Sequence, residues 1–204
     1  IGVILDADDD GHDPAARYTQ LRTQLEIPNL SALHWPSLPG DVMPGPPRCG
    51  VFVLPDNRRA GTLEDLLIAA SNAAYPGLHA DAAAFVERVV ADPTALGLLN
   101  KDLKDLRKPA GERKATLATV ASVLKPGKSV AVAIQDCRWL DRAALQQLPP
   151  LAAVQAFLRA VPALREVVLW GGCDAASATM LNAWKYPQVT GMALGNPWVH
   201  NAET

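Results

Sequence analysis

Cysteine is scarce in this chain. Cys49, Cys137 and Cys173 are odd in number, widely spaced and form no C-x-x-C pair. That excludes a disulfide framework and a paired-cysteine redox or metal motif, and it places the chain in a reducing cytoplasm. Charge of one sign is also lacking. Nineteen Lys and Arg against twenty-one Asp and Glu leave a net charge of −2, so no global basic field exists to coat nucleic acid. No apolar run approaches the roughly 18–20 residues of a membrane span, and no signal peptide is visible. Aromatics are only 5% of residues. Trp35, Trp139 and Trp198 read as core or loop anchors, because basic residues do not interleave with them apart from Arg138. There is no internal repeat and no low-complexity tract. The first residue is not Met, and the chain opens inside a strand; a preceding segment, carrying a catalytic residue with it, is expected upstream.

What is present starts at residue 1. The run Ile1-Gly2-Val3-Ile4-Leu5 leads directly into Asp6-Ala7-Asp8-Asp9-Asp10-Gly11. Residues two apart in a strand share a face, so Ile1, Val3 and Leu5 are expected on one side and Gly2 and Ile4 on the other. Near-continuous apolarity of this kind marks a central strand buried on both faces. Asp6 and Asp8 then project together at its end. Two adjacent carboxylates repel unless a cation lies between them, and hard divalent cations such as Mg²⁺ use few protein carboxylates. The competing reading is a solvated acidic turn. The spacing of Asp6, Asp8, Asp10 and Gly11 also matches half of a calcium loop, but its twelfth position is Arg17 and no helix enters it. His12 could join the acidic turn; His34, His79 and His200 have no ligand spacing.

Along the chain, Asp13-Pro14 starts a helix expected over 14–26, with Tyr18, Leu21 and Leu25 inward. Residues 36–47 hold five prolines and read as a loop. A short strand is expected over 51–54. Thr62 and Asp65 have capping-box spacing at the start of the next helix. A helix over 80–91 is expected to turn Phe85, Val89 and Val90 inward. Residues 101–114 carry six cations, broken by Pro109-Ala110-Gly111, and a helix follows to about residue 124. Residues 130–134 read as a strand, 151–161 as an amphipathic helix, 167–170 as a strand, 175–184 as a helix and 189–194 as a strand. Strands alternating with helices argue for a layered α/β fold. The length of 204 residues suits one domain or one with a small appendage.

Several segments in this order carry a resemblance: "IGVILDADDD", "FVLPDNRRAGTLEDLLIAAS", "ERKATLATVAS" and "AVAIQDCRWLD". Over about residues 1–160 they resemble an uncharacterised bacterial family with a Toprim-like domain, distantly similar to the overcoming-lysogenisation-defect nucleases. The resemblance implies a Toprim-like layered fold with a mostly parallel central sheet flanked by helices, over residues 1–161. It implies Asp6 and Asp8 as ligands of Mg²⁺ or Mn²⁺. In the nuclease relatives an acidic residue on a following helix joins a second metal, which here would be Glu64; Asp10 would be a more distant fourth carboxylate. Glu64 and Asp65 also suit a helix N-terminus by charge alone, and Asp65 fits the capping box better than a metal. Lys114 could stabilise phosphate charge or simply be solvated, and the 101–114 run could hold a phosphate backbone or be a solvated face.

The first Toprim strand carries a Glu-Gly-x-x-Asp-like motif upstream of the Asp pair, which this chain lacks. Its tail, residues 162–204, reads as strand, Gly171-x-x-Asp174, helix, strand and Leu194-Gly195. That is similar to the missing unit in permuted order, with Trp170 in place of the Glu. A barrel-type βα unit whose glycines bind phosphate is an equally fair reading, and an ordinary βαβ segment with tight glycine turns is favoured over both.

The leading expectation is metal-dependent phosphoryl transfer on nucleic acid by a Mg²⁺-assisted nuclease, with Asp6, Asp8, Glu64 and Lys114 as its chemical residues. Two alternatives stand. The Asp6/Asp8 pair resembles the nucleophile motif of haloacid-dehalogenase-type phosphatases, in which Asp6 would attack phosphorus and Asp8 act as acid; the later Gly-Asp motif has only Gly172-Cys173-Asp174 as a poor counterpart. The other alternative is a non-catalytic Toprim-like protein that binds a partner or nucleotide.

Overall fold

The computed structural model describes residues 1–7, 13–25, 33–45, 47–140, 148–161, 166–170 and 191–195. The chain is α/β. The first strand, β1 (Gly2–Asp6), pairs in parallel with β3 (Cys49–Leu54), Val3 opposite Val51 and Asp6 opposite Leu54. β2 (Val42–Met43) lies antiparallel on the outer side of β3. It falls in the proline-rich 36–47 stretch expected to be loop. On the other side of β1 run β4 (Glu166–Trp170) and β5 (Gly191–Gly195), both parallel. The sheet order is β2-β3-β1-β4-β5, so β1 is central, as its apolar run requires.

The alternation of β1 divides the core. Val3 and Leu5 join Val51 and Val53 under α1 (Pro14–Leu25), which turns Tyr18, Leu21 and Leu25 inward. Ile4 joins Phe52 and Leu54 on the opposite face. There the cover comes from α2 (Leu63–Ala74), α4 (Gly111–Leu124), α5 (Val130–Asp136) and α6 (Pro149–Ala160). Every residue of β3 is buried, as expected for a strand with helices on both faces. α3 (Pro76–Ala91) packs against α2 and α4.

Two expectations need correction. Residues 130–134 are not a strand but belong to α5. Alternating Val and Ala read as period two, but Ser129 caps the segment, its Oγ accepting the Val132 N–H at 3.4 Å. Ala133 and Ile134 face the main core from a helix; a short apolar run does not fix its own period. On α3 the inward residues are Ala82 and Val86. Phe85 is 46% exposed, with the Arg88 guanidinium 5.6 Å from its ring, and Val89 and Val90 are only half-buried. Trp139 is fully buried, as an anchor should be. The expected helix over 175–184, and Trp198, lie outside the described residues. Among the described residues no helix is long and apolar enough to cross a membrane.

Candidate functional site

The C-terminal edge of β1 meets the N-terminus of α2. The first N–H groups of a helix have no intrahelical acceptor, and here side chains supply two. Asp6 Oδ1 accepts the Leu63 N–H at 2.9 Å. Asp65 Oδ2 accepts the Thr62 N–H at 2.8 Å, completing the capping box that the Thr62/Asp65 spacing implied. The backbone also ties the two segments together, since the Ala7 N–H donates to the Gly61 carbonyl at 3.1 Å. Gly61 makes this approach possible. Its φ is +146°, and a Cβ there would lie 2.9 Å from Asp65 Oδ2. A side chain would strain the backbone and press on the capping carboxylate.

Glu64 follows in the first turn of α2. The positive end of the helix dipole favours Asp65 and Glu64 there. Two cations face them from the first turn of α4: Lys114 Nζ lies 3.5 Å from Glu64 Oε1, and Arg113 Nη1 lies 3.3 Å from Asp65 Oδ1. Lys114 is 54% exposed, so its pair contributes only about 0.2–1 kcal/mol. Its place beside Glu64 matters more than that energy. Gly111 lets α4 start where it does. A Cβ at Gly111 would fall 2.2 Å from the Leu106 carbonyl oxygen, closer than any side chain tolerates. Arg113 belongs to the basic run noted in the sequence, but nothing there singles it out. Its role depends on α2 and α4 meeting end to end.

Asp6, Glu64 and Lys114 therefore share one edge of the molecule. Asp8 and Asp10, the other expected carboxylates, and His12 lie outside the described residues. Among the described residues no group of three or more His, Cys, Asp or Glu converges on a common point. The donors that Asp6 and Glu64 offer are carboxylate oxygens, a chemistry that suits a hard divalent cation. Arg17, at the twelfth position of the half-matched calcium loop, sends its Nε to the Asp6 carbonyl oxygen at 3.2 Å; a cation there is no calcium ligand. His34 is exposed, and His79 faces Ser71 Oγ at 3.1 Å, well along α2 from this edge. Elsewhere in the basic run, Lys108 pairs with Asp105 at 2.5 Å, and both are exposed.

The β3–α2 loop carries a second organised turn. Asp56 accepts N–H bonds from Arg58 at 3.1 Å and Arg59 at 2.9 Å, and binds Arg59 Nε at 2.7 Å. Burial pushes the Asp56 carboxyl upward, but the hydrogen bonds from Arg59 and Arg58 outweigh it and hold it below the usual carboxylate range.

The family described as Protein of unknown function (DUF3226) matches residues 1–161. The chain belongs to the DUF3226 family. No curated protein and no solved structure matches it. The DUF3226 region holds β1, the β3–α2 loop and α4, so every described residue of this edge lies inside it.

Proposed function

We propose that the edge formed by Asp6, Glu64 and Lys114 is a divalent-cation site for phosphoryl transfer on nucleic acid, in a Toprim-like layered fold. The observation that carries this reading is the Asp6–Leu63 hydrogen bond, which ties the end of the central strand to the helix start beside Glu64. Asp6 ends the central strand, and the α2 N-terminus brings Glu64 to that strand end. α4 adds Lys114 beside Glu64. Oxygen donors on rigid elements with a cation next to them are what a metal–phosphate site requires.

Asp6, Asp8 and Glu64 would hold Mg²⁺ or Mn²⁺, with Asp10 a more distant carboxylate. A divalent cation at such a site polarises a phosphoryl oxygen and activates water. Lys114 offers positive charge to the phosphate, and Arg113 sets the α4 end against Asp65.

Calorimetry with Mg²⁺ and Mn²⁺ on the wild type and Asp8→Asn tests the site. Binding lost in the variant supports it; equal affinity in both refutes it. Incubation with beryllium fluoride separates the chemistries, because only an aspartyl nucleophile forms a stable adduct. An adduct on Asp6 would replace the nuclease reading with a phosphatase.

A further inference from the structure

A cavity of about 590 Å³ lies beside α6 and the β3–α2 loop. Its size falls in the roughly 300–1,000 Å³ range of small-molecule sites. The wall from α6 is Pro149, Ala153, Ala156 and Ala160, small side chains on one helix face that leave an apolar slot. Phe157 and Phe52 close its floor, their ring centroids 5.3 Å apart.

Four polar side chains join this apolar slot: Arg58, Asn57, Asp41 and Asp56, the last already neutralised by Arg59. Arg59 is committed to Asp56 at 2.7 Å. The Arg58 guanidinium, by contrast, has no hydrogen bond or ion pair among the described residues. Asn57 is held in the left-handed region at φ 64°. Its N–H donates to the Val53 carbonyl at 2.7 Å, and its Oδ1 accepts the Val53 N–H at 2.7 Å. With Oδ1 so engaged, Nδ2 is left as a fixed donor. Asp41 is exposed and offers an acceptor.

We infer that this cavity binds a nucleoside monophosphate unit, with the base in the apolar slot and the phosphate on Arg58. A flat ring suits the alanine and phenylalanine surfaces. A base edge carries both donors and acceptors, which Asn57 Nδ2 and Asp41 can meet. A guanidinium is the side chain best matched to phosphate oxygens. A purely apolar peptide would leave Arg58 and Asp41 desolvated without partners.

The same loop joins the cavity to the proposed metal edge. Asp56, Asn57 and Arg58 line the cavity, and Gly61 and Leu63 bond to Ala7 and Asp6. The cavity's role as a subsite for a nucleic-acid substrate rests on the proposed function; its ligand class rests on its own walls.

Binding is measured by calorimetry with dAMP, deoxyadenosine and inorganic phosphate as probes. The proteins are the wild type, Arg58→Gln, Ala156→Trp and Asp6→Asn. The wild type should bind dAMP more tightly than either fragment. Arg58→Gln should weaken dAMP about tenfold and leave deoxyadenosine unchanged, as loss of one charge-assisted contact implies. Ala156→Trp, which fills the slot from an exposed position on α6, should abolish both. Arg58 is also exposed, so its variant reports even if Ala156→Trp does not fold. No dAMP binding by the wild type overturns the inference. So does equal binding of dAMP and phosphate, or dAMP binding unchanged in Arg58→Gln. Asp6→Asn should bind dAMP as the wild type does. Mn²⁺ titration of the same samples keeps the two ideas apart: intact dAMP binding without metal binding refutes the metal edge alone, and metal binding without dAMP refutes the cavity alone.

Discussion

Asp6 Oδ1 accepts the Leu63 N–H at 2.9 Å across 57 positions of sequence. The carboxylate expected to hold a metal is thus also a cap that joins the central strand to α2. Substitutions at residue 6 separate these two roles.

Asp6→Ala removes the acceptor and leaves the Leu63 N–H unsatisfied at a partly buried helix start. It should destabilise the fold by about 1–2 kcal/mol, the usual cost of losing a cap. Asp6→Asn keeps an amide oxygen in place and should stay within about 0.5 kcal/mol of wild type. The charge and one acceptor oxygen are then gone, so Mn²⁺ affinity should fall in both. Urea titrations that show the two variants equally destabilised would mean that the hydrogen bond is not what residue 6 contributes.

Gly111→Ala places a methyl carbon 2.2 Å from a backbone carbonyl oxygen. Backbone cannot yield as a flexible side-chain tip does. The start of α4 should shift, at a cost of about 1–3 kcal/mol, and Lys114 should move away from Glu64. Thermal melts should show a lower midpoint, and the variant should lose whatever activity depends on Lys114. A midpoint equal to or above wild type would contradict this packing.

Burial lowers the pKa of His79 below the usual histidine value, because a charged imidazole is poorly solvated against α2. The unfolded chain therefore binds a proton at higher pH than the folded chain does. The stability from neutral His79 is fully present above about pH 6.5, the unfolded value, and is lost as pH falls through the lower folded value. Urea midpoints should decline from pH 7.5 to pH 5. His79→Gln should flatten that slope, and an unchanged slope would assign it to other groups.

The sequence carried some of this architecture and not the rest. β1 was legible because apolarity on both faces admits few positions other than a central strand. The capping box was legible because Thr62 and Asp65 are three residues apart and act locally. α5 was not, since Val130 to Ile134 is too short to fix a period and packing chose the helix. Phe85 looked like core by residue type, but the buried stripe of α3 is only as wide as Ala82 and Val86. The pairing of Arg113 with Asp65, and the cavity beside Arg58, depend on elements distant in the chain. No spacing within either segment encodes them.

Activity is the last expectation, and the carboxylate supply decides it. A two-metal site needs ligands enough to hold two ions about 3.5–4 Å apart. Asp6, Asp8 and Glu64 offer three carboxylates to the proposed site, with Asp10 more distant. Mg²⁺ demands near-ideal octahedral coordination, so a sparse ligand set should penalise it more than Mn²⁺. Cleavage of single-stranded or supercoiled DNA by residues 1–204 should therefore be slow and better supported by Mn²⁺. Asp6→Asn should abolish it while preserving the fold. Brisk Mg²⁺-dependent cleavage, lost in Asp6→Asn, would show that three carboxylates suffice and that a further one is not needed.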